Sequence, residues 1–145
     1  MGLEQNKALM RQWLAEGWSK GNVDVADDII SPDFKVHGAG GQVVQTGNQG
    51  VKELVRTWRV AFPDGNMAVL DDIAEGDLVG VRLLWTGTHL GDFYAASPTG
   101  NKVSCMSIGI DEVKEGQITG GRKNGKIPGG WGELESAGLQ PQGGR

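Results

Sequence analysis

Apolar residues recur along this chain at two periods, and the switch between them sets the expected architecture. From Gln5 to Lys20, the residues Ala8, Trp13, Leu14, Gly17 and Trp18 recur near helical spacing, which predicts a first helix stopped by Gly21-Asn22. Val23 to Ile30 reads as a second, short helix, with Val23, Val25, Ala26, Ile29 and Ile30 apolar and Asp24, Asp27 and Asp28 exposed. Ser31-Pro32-Asp33 is expected to break it, because the residue before a proline avoids helical backbone. Phe34 to His37 follows as a short strand. Gly38 to Gly50 is glycine-rich and reads as a loop, with a short strand over Gln42 to Gln45. It has neither the strand, glycine loop and helix arrangement nor the Lys-Ser/Thr pair of a phosphate-cradling loop. Val51, Leu54, Val55, Trp58 and Ala61 fall on one helical face. A third helix is therefore predicted over Gly50 to Ala61, capped by Asn48 and ended by Phe62-Pro63-Asp64-Gly65.

After Gly65 the period becomes two. Strands are predicted over Asn66 to Ala74, Leu78 to Thr86 and Lys102 to Val113, with turn chemistry at Glu75-Gly76-Asp77. Alternation in the last of these puts Val103, Cys105, Ser107, Gly109 and Asp111 on one face, and Lys102, Ser104, Met106, Ile108 and Ile110 on the other. The second face is oily. The first is small and polar until it reaches a carboxylate. Helices come first and strands follow without crossover helices, which is α+β and not a parallel doubly wound sheet. Helices laid on one face of a strongly curved sheet leave a cavity where the sheet bends away, a common place for a small-molecule site.

Composition narrows the classes further. The chain of 145 residues fits one domain, and its five tryptophans add large buried area. A net charge of −4, with no Lys/Arg cluster on one predicted face, argues against nucleic acid as the main partner. The single cysteine, Cys105, excludes an intramolecular disulfide and a cysteine-based zinc cluster, and its strand position marks a core or pocket-wall residue. The N-terminus lacks the apolar run of a signal peptide. Asn6 stands where myristoylation calls for Ser or Thr, and no stretch approaches the ~20 apolar residues that span a bilayer. A soluble cytoplasmic protein without a membrane partner is expected.

Six stretches, in order, carry a family resemblance. They are Asn6-Lys7-Ala8-Leu9; Gly17-Trp18-Ser19-Lys20-Gly21-Asn22; Ser31-Pro32-Asp33-Phe34 with His37; Gly50-Val51-Lys52 with Phe62-Pro63-Asp64; Glu75-Gly76-Asp77 with Thr86-Gly87-Thr88-His89; and Pro98-Thr99-Gly100 followed by Glu115-Gly116-Gln117-Ile118. Over about residues 4 to 118 the chain resembles the SnoaL-like polyketide cyclases, within the nuclear-transport-factor-two-like superfamily. The resemblance implies an α+β fold: a cone-shaped single domain, a curved and mostly antiparallel sheet with helices packed on its concave face. It also implies a homodimer through the open sheet face, an apolar pocket, and no metal or organic cofactor. The chemistry implied is acid–base work on a hydrophobic, carbonyl-containing, aromatic or polyketide-like substrate: cyclisation, isomerisation or dehydration. The chain divides as a cone domain over 1–118 and an atypical glycine-rich segment over 119–145 that partly completes it, with a terminal helical turn over Gly132 to Leu139.

That last segment departs from the family. A strand of the form Val-x-x-Trp-Asp, whose acidic residue is the cyclase base, is usual after Ile118. On an ungapped match Arg122 and Lys123 stand in place of Trp and Asp, and Gly109 stands where cyclases often carry His or Asp. The aldol base then has no counterpart, and Gly120-Gly121 weakens any strand there. Either the pocket is kept with a cation in place of the anion, or the tail leaves the pocket and the protein is a non-catalytic binder or carrier of an apolar metabolite.

The candidate catalytic residues are His37, Asp111 and Lys123. His37 holds the family's pocket-mouth position, and imidazole shuttles protons near neutral pH; the plainer reading is a structural histidine at a strand end. Asp111 is the best remaining carboxylate base if its strand face lines the cavity, and a solvent-facing charge near a hairpin end is the plainer expectation. Lys123 and Arg122 would hold an enolate or carboxylate oxygen if the last strand persists, and otherwise form an exposed basic loop. His89 reads as a turn-stabilising residue. Trp18, Trp58, Phe62, Phe93, Tyr94 and Met106 are expected to be mostly core, with one or two touching a planar ligand beside Cys105 and Ser107.

Overall fold

The computed structural model describes residues 2–37, 43–93 and 96–123, with the side chains at 36–37, 43–46 and 122–123 left out. Three helices, α1 (Leu3–Gln12), α2 (Ala26–Ile29) and α3 (Gly47–Ala61), cover one face of a sheet. Its strands are β1 (Ile30–His37), β2 (Val43–Thr46), β3 (Asn66–Glu75), β4 (Leu78–Thr88), β5 (Lys102–Lys114) and β6 (Gln117–Lys123). Their order across the sheet is β2-β1-β6-β5-β4-β3. All neighbours are antiparallel except β1 and β6, which run parallel.

The predicted first helix is two structures. α1 ends at Gln12, and Trp13–Ser19 continues as a π-helix that buries Trp13, Leu14, Gly17 and Trp18. Two tryptophans five residues apart fit the wider turn, which a 3.6-residue reading does not anticipate. Gly17 is required there, because a Cβ on it would lie 2.2 Å from the Trp13 ring. The second predicted helix shrinks to a 3₁₀ turn (Val23–Val25) followed by α2, and β1 starts at Ile30, ahead of Pro32. The β1–β6 pairing is interrupted between Ile30 and Lys35, so Pro32 sits where no ladder bond is asked of it. Asn48 does not cap α3 but lies inside it, since the helix begins at Gly47.

α3 buries Val51, Leu54, Val55, Trp58 and Ala61 against the sheet. Lys52 on α3 is also buried, and its ammonium meets the half-exposed Asp27 of α2 at 2.7 Å. On the sheet's outer edge, Leu70 is an extra residue in β3 opposite β4. This bulge sends Asp71 to Arg82 and Asp72 to Arg11 of α1, the latter as a two-bond carboxylate–guanidinium pair at 2.6 and 2.7 Å.

The glycines of the last strand do not end the sheet. β6 is inserted between β1 and β5, so its backbone is paired on both sides. Gly120 fits where it is, because a Cβ would come 3.2 Å from the Lys35 carbonyl oxygen. The helical turn expected over Gly132 to Leu139 lies outside the described residues.

Candidate functional site

The sheet's concave face is set by strand alternation. On β4, Val79, Val81, Leu83 and Trp85 are buried; on β5, Val103, Cys105, Ser107, Asp111 and Val113 are buried. The oily face of β5 is the open one: Met106 and Ile108 are 56% exposed and Ile110 is 44% exposed, so Met106 is not the core residue expected, because its strand face turns away from the helices.

Asp111 therefore corrects the expectation of a solvent-facing charge. It is 4% exposed, with its backbone between Val79 on β4 and Gly121 on β6. Lys123 stands opposite Gly109, so the two departures from the cyclase pattern meet across β5 and β6. In register Lys123 is also one diagonal step from Asp111. Arg122 lies between Ile110 on β5 and His37 on β1. Asp111 and Lys123 thus share one face of adjacent strands, whereas His37 pairs with Arg122 and, through it, with the exposed Ile110, so its register position is on the other face. The side chains of His37, Arg122 and Lys123, and all of Tyr94, lie outside the described residues.

Up the same face, the aromatic residues pack on one another. Trp58 lies edge-to-face with Trp18 at 5.6 Å and with Trp85 at 5.7 Å; Phe62 meets Trp85 at 5.4 Å and Phe93 at 5.8 Å. Trp85, for which the sequence analysis names no role, is fully buried in this cluster against Trp58 and Phe62. Its apolar neighbours in a strand gave no signal of a site. Among the described residues, three buried donors here find no acceptor: the Nε1 groups of Trp58 and Trp85 and the Ser107 hydroxyl.

His89 closes the far end. It is fully buried, and its Nδ1 accepts the Thr99 N–H and lies beside the Thr99 hydroxyl, both at 3.2 Å. Its backbone binds the Asn101 carbonyl and the Gly100 N–H. Burial pushes this imidazole below its ordinary value, opposed by the Gly91 backbone and the Asp92 charge. A separate cleft of about 370 Å³, lined by Asp64, Thr88, Lys102 and Ser104 among others, opens at the start of β5, away from Asp111. Among the described residues no group of His, Cys, Asp and Glu could hold a metal ion. No helix among them is long and apolar enough to cross a membrane.

The six-stranded curved sheet with helices on its concave face, and a buried carboxylate at one end of that face, define a cone-fold α+β protein. Residues 8–123 match the model of the SnoaL-like polyketide cyclases, and the chain belongs to that family. It is similar to a candidate polyketide cyclase from Acidithiobacillus ferrooxidans, at 29% identity over 94% of this chain and 99% of that one, with a TM-score of 0.74. In fold it is similar to AclR, a candidate hydroxylase from Streptomyces galilaeus (24% identity, 97% and 85% covered, TM-score 0.77). The same holds for an LEH-like epoxide hydrolase of M. tuberculosis (15% identity, 94% and 86% covered, TM-score 0.69). No curated protein matches the chain.

Proposed function

We propose that this protein is a cofactor-independent enzyme that moves a proton next to a carbonyl of a hydrophobic, aromatic or polyketide-like substrate, in a cyclisation, isomerisation or dehydration. The observation that carries the reading is the burial of Asp111 on the concave face, with the register position of Lys123 one diagonal step away. In this reading Asp111 removes the proton and later hands it back to the substrate, and Lys123 steadies the enolate oxygen in place of the family's usual donors; His37, on the other face by register, takes no part. The carboxylate thus moves from the last strand to its neighbour, and the missing aldol base is replaced from across the β5–β6 pair. Pairing of two copies through the exposed Met106, Ile108 and Ile110 face is part of the same proposal.

The half-reaction needs no knowledge of the natural substrate. Exchange of the α-protons of 1-tetralone into D₂O, followed by NMR, reports enolisation alone. Asp111→Asn should slow protein-catalysed exchange by about 10²-fold or more, the usual worth of acid–base catalysis. An unchanged rate removes Asp111 as the base. Binding of 1-tetralone without any protein-dependent exchange favours the carrier.

A further inference from the structure

We propose that the Trp58, Trp85 and Ser107 end of the concave face is an acceptor-binding subsite. It takes a neutral carbonyl oxygen at the end of the ligand remote from Asp111.

The argument starts from the three unsatisfied donors. Buried N–H and O–H groups almost always have a partner, and a native structure that leaves several unpaired in one place asks for an explanation such as a bound molecule. Here the three are neighbours. The Trp58 and Trp85 rings are 5.7 Å apart. Trp85 pairs with Cys105 and Leu83 with Ser107, so Trp85 and Ser107 are diagonal on the same buried face. An indole N–H turned edge-on to a neighbouring ring gains only a weak contact, and Ser107 lacks even that.

The kind of acceptor follows from what surrounds them. The walls are Trp18, Phe62, Phe93 and Cys105, all buried and uncharged. A carboxylate brought here would lose its water without gaining a described cation, which is costly. A ketone, quinone or aryl carbonyl oxygen accepts two such donors at little cost. Ser107 and Asp111 are four residues apart on β5, or about 13 Å at strand rise. The subsite and the carboxylate therefore hold opposite ends of one elongated ligand. The inference rests on the proposed reading of the concave face as a substrate site, but it concerns binding and not proton transfer.

Three probes of similar shape separate the possibilities: 9-fluorenone, fluorene and fluorene-9-carboxylate, titrated into the ¹⁵N-labelled full chain. The indole N–H signals of Trp58 and Trp85, assigned in the wild-type protein, are the readout. Fluorenone should move at least one of them downfield, and fluorene and the carboxylate should not. Ser107→Ala, a small change that keeps the strand, should weaken fluorenone binding about two- to tenfold, the usual worth of one hydrogen bond. The proposal is overturned if fluorenone fails to bind up to its solubility limit. It is equally overturned if fluorenone leaves both indoles unmoved, if fluorene binds as tightly, or if Ser107→Ala changes nothing; buried water then serves the donors. Repeating the titration in Asp111→Asn keeps the two readings apart. Persistent indole shifts with α-proton exchange unaffected by that substitution count against Asp111 alone. Wild-type exchange with silent indoles counts against the subsite alone.

Discussion

The two halves of β5 belong to the same strand of the same sheet and have little else in common. From Val103 to Ser107 the strand faces a wall of aromatic rings, each touching the next at 5.4–5.9 Å. From Gly109 to Val113 it carries a buried carboxylate, Asp111, beside the Thr119, Gly120 and Gly121 stretch of the last strand. The first half is fixed by volume, because rings that fill one another's space leave few alternatives. The second is fixed by backbone pairing on both sides. The packed aromatic end and the proposed chemistry are then held by different ends of one strand.

The largest effect that would test this division is on the packed side. Trp58→Ala should cost about 3–5 kcal/mol of stability, measured by urea unfolding, as large-to-small core changes do. A loss as small as that of a surface substitution would break the comparison. Next comes the support of that ring. A Cβ on Gly65 would lie 2.4 Å from the Trp58 indole. Gly65→Ala should therefore cost about 1–3 kcal/mol through overpacking, with α-proton exchange reduced no more than the loss of folded protein explains.

The smallest effect is a pH dependence from the packed end. His89 has a lowered value when folded, so the unfolded chain binds its proton first. Its contribution is present above the ordinary histidine range, about 6.5, and is lost as pH falls from there. Asp64, held low by the Thr88 hydrogen bonds, and Asp72, held low by its bond to Arg11, behave alike at lower pH. Their contributions are lost as pH falls below the usual carboxylate range, about 4. Urea midpoints from pH 8 to 3 should thus fall in two stages, and His89→Gln should remove the first. A single acid stage in the wild type would show that His89 does not carry the upper one.

The sequence made some of this legible and hid the rest for physical reasons. The α3 stripe and the alternation in β4 and β5 were readable because one buried face imposes one period. The oily face of β5 was readable as a core or partner face and the small polar one as a cavity face, but which of the two the chain itself covers was not. Alternation yields two faces, and the oilier one, with Met106, Ile108 and Ile110, turned out to be the open one. Gly120-Gly121 looked like the end of a strand because local propensity omits two flanking strands. Pro32 looked like a break because the gap in its ladder is a tertiary fact. At the site, alternation put Asp111 on one face with Cys105 and Ser107, but its burial was not readable and a solvent-facing charge was the plainer expectation; Trp85 gave no signal at all. Its significance lies in a donor without a partner, which no sequence pattern records.

The insertion of β6 between β1 and β5 has a consequence for assembly. The strand nearest the start of the chain and the long antiparallel hairpins near its middle have no ladder to each other until residues 117–123 arrive. The sheet is, until then, two separate ribbons with exposed seams. Loop closure across most of the chain must precede any gain from the join, the circumstance in which folding is slow. The glycine-rich last strand acts as a zip that is drawn late, and the residues proposed to do the chemistry, Asp111 and Lys123, lie along it. Catalytic competence and the completion of the sheet would then be one event.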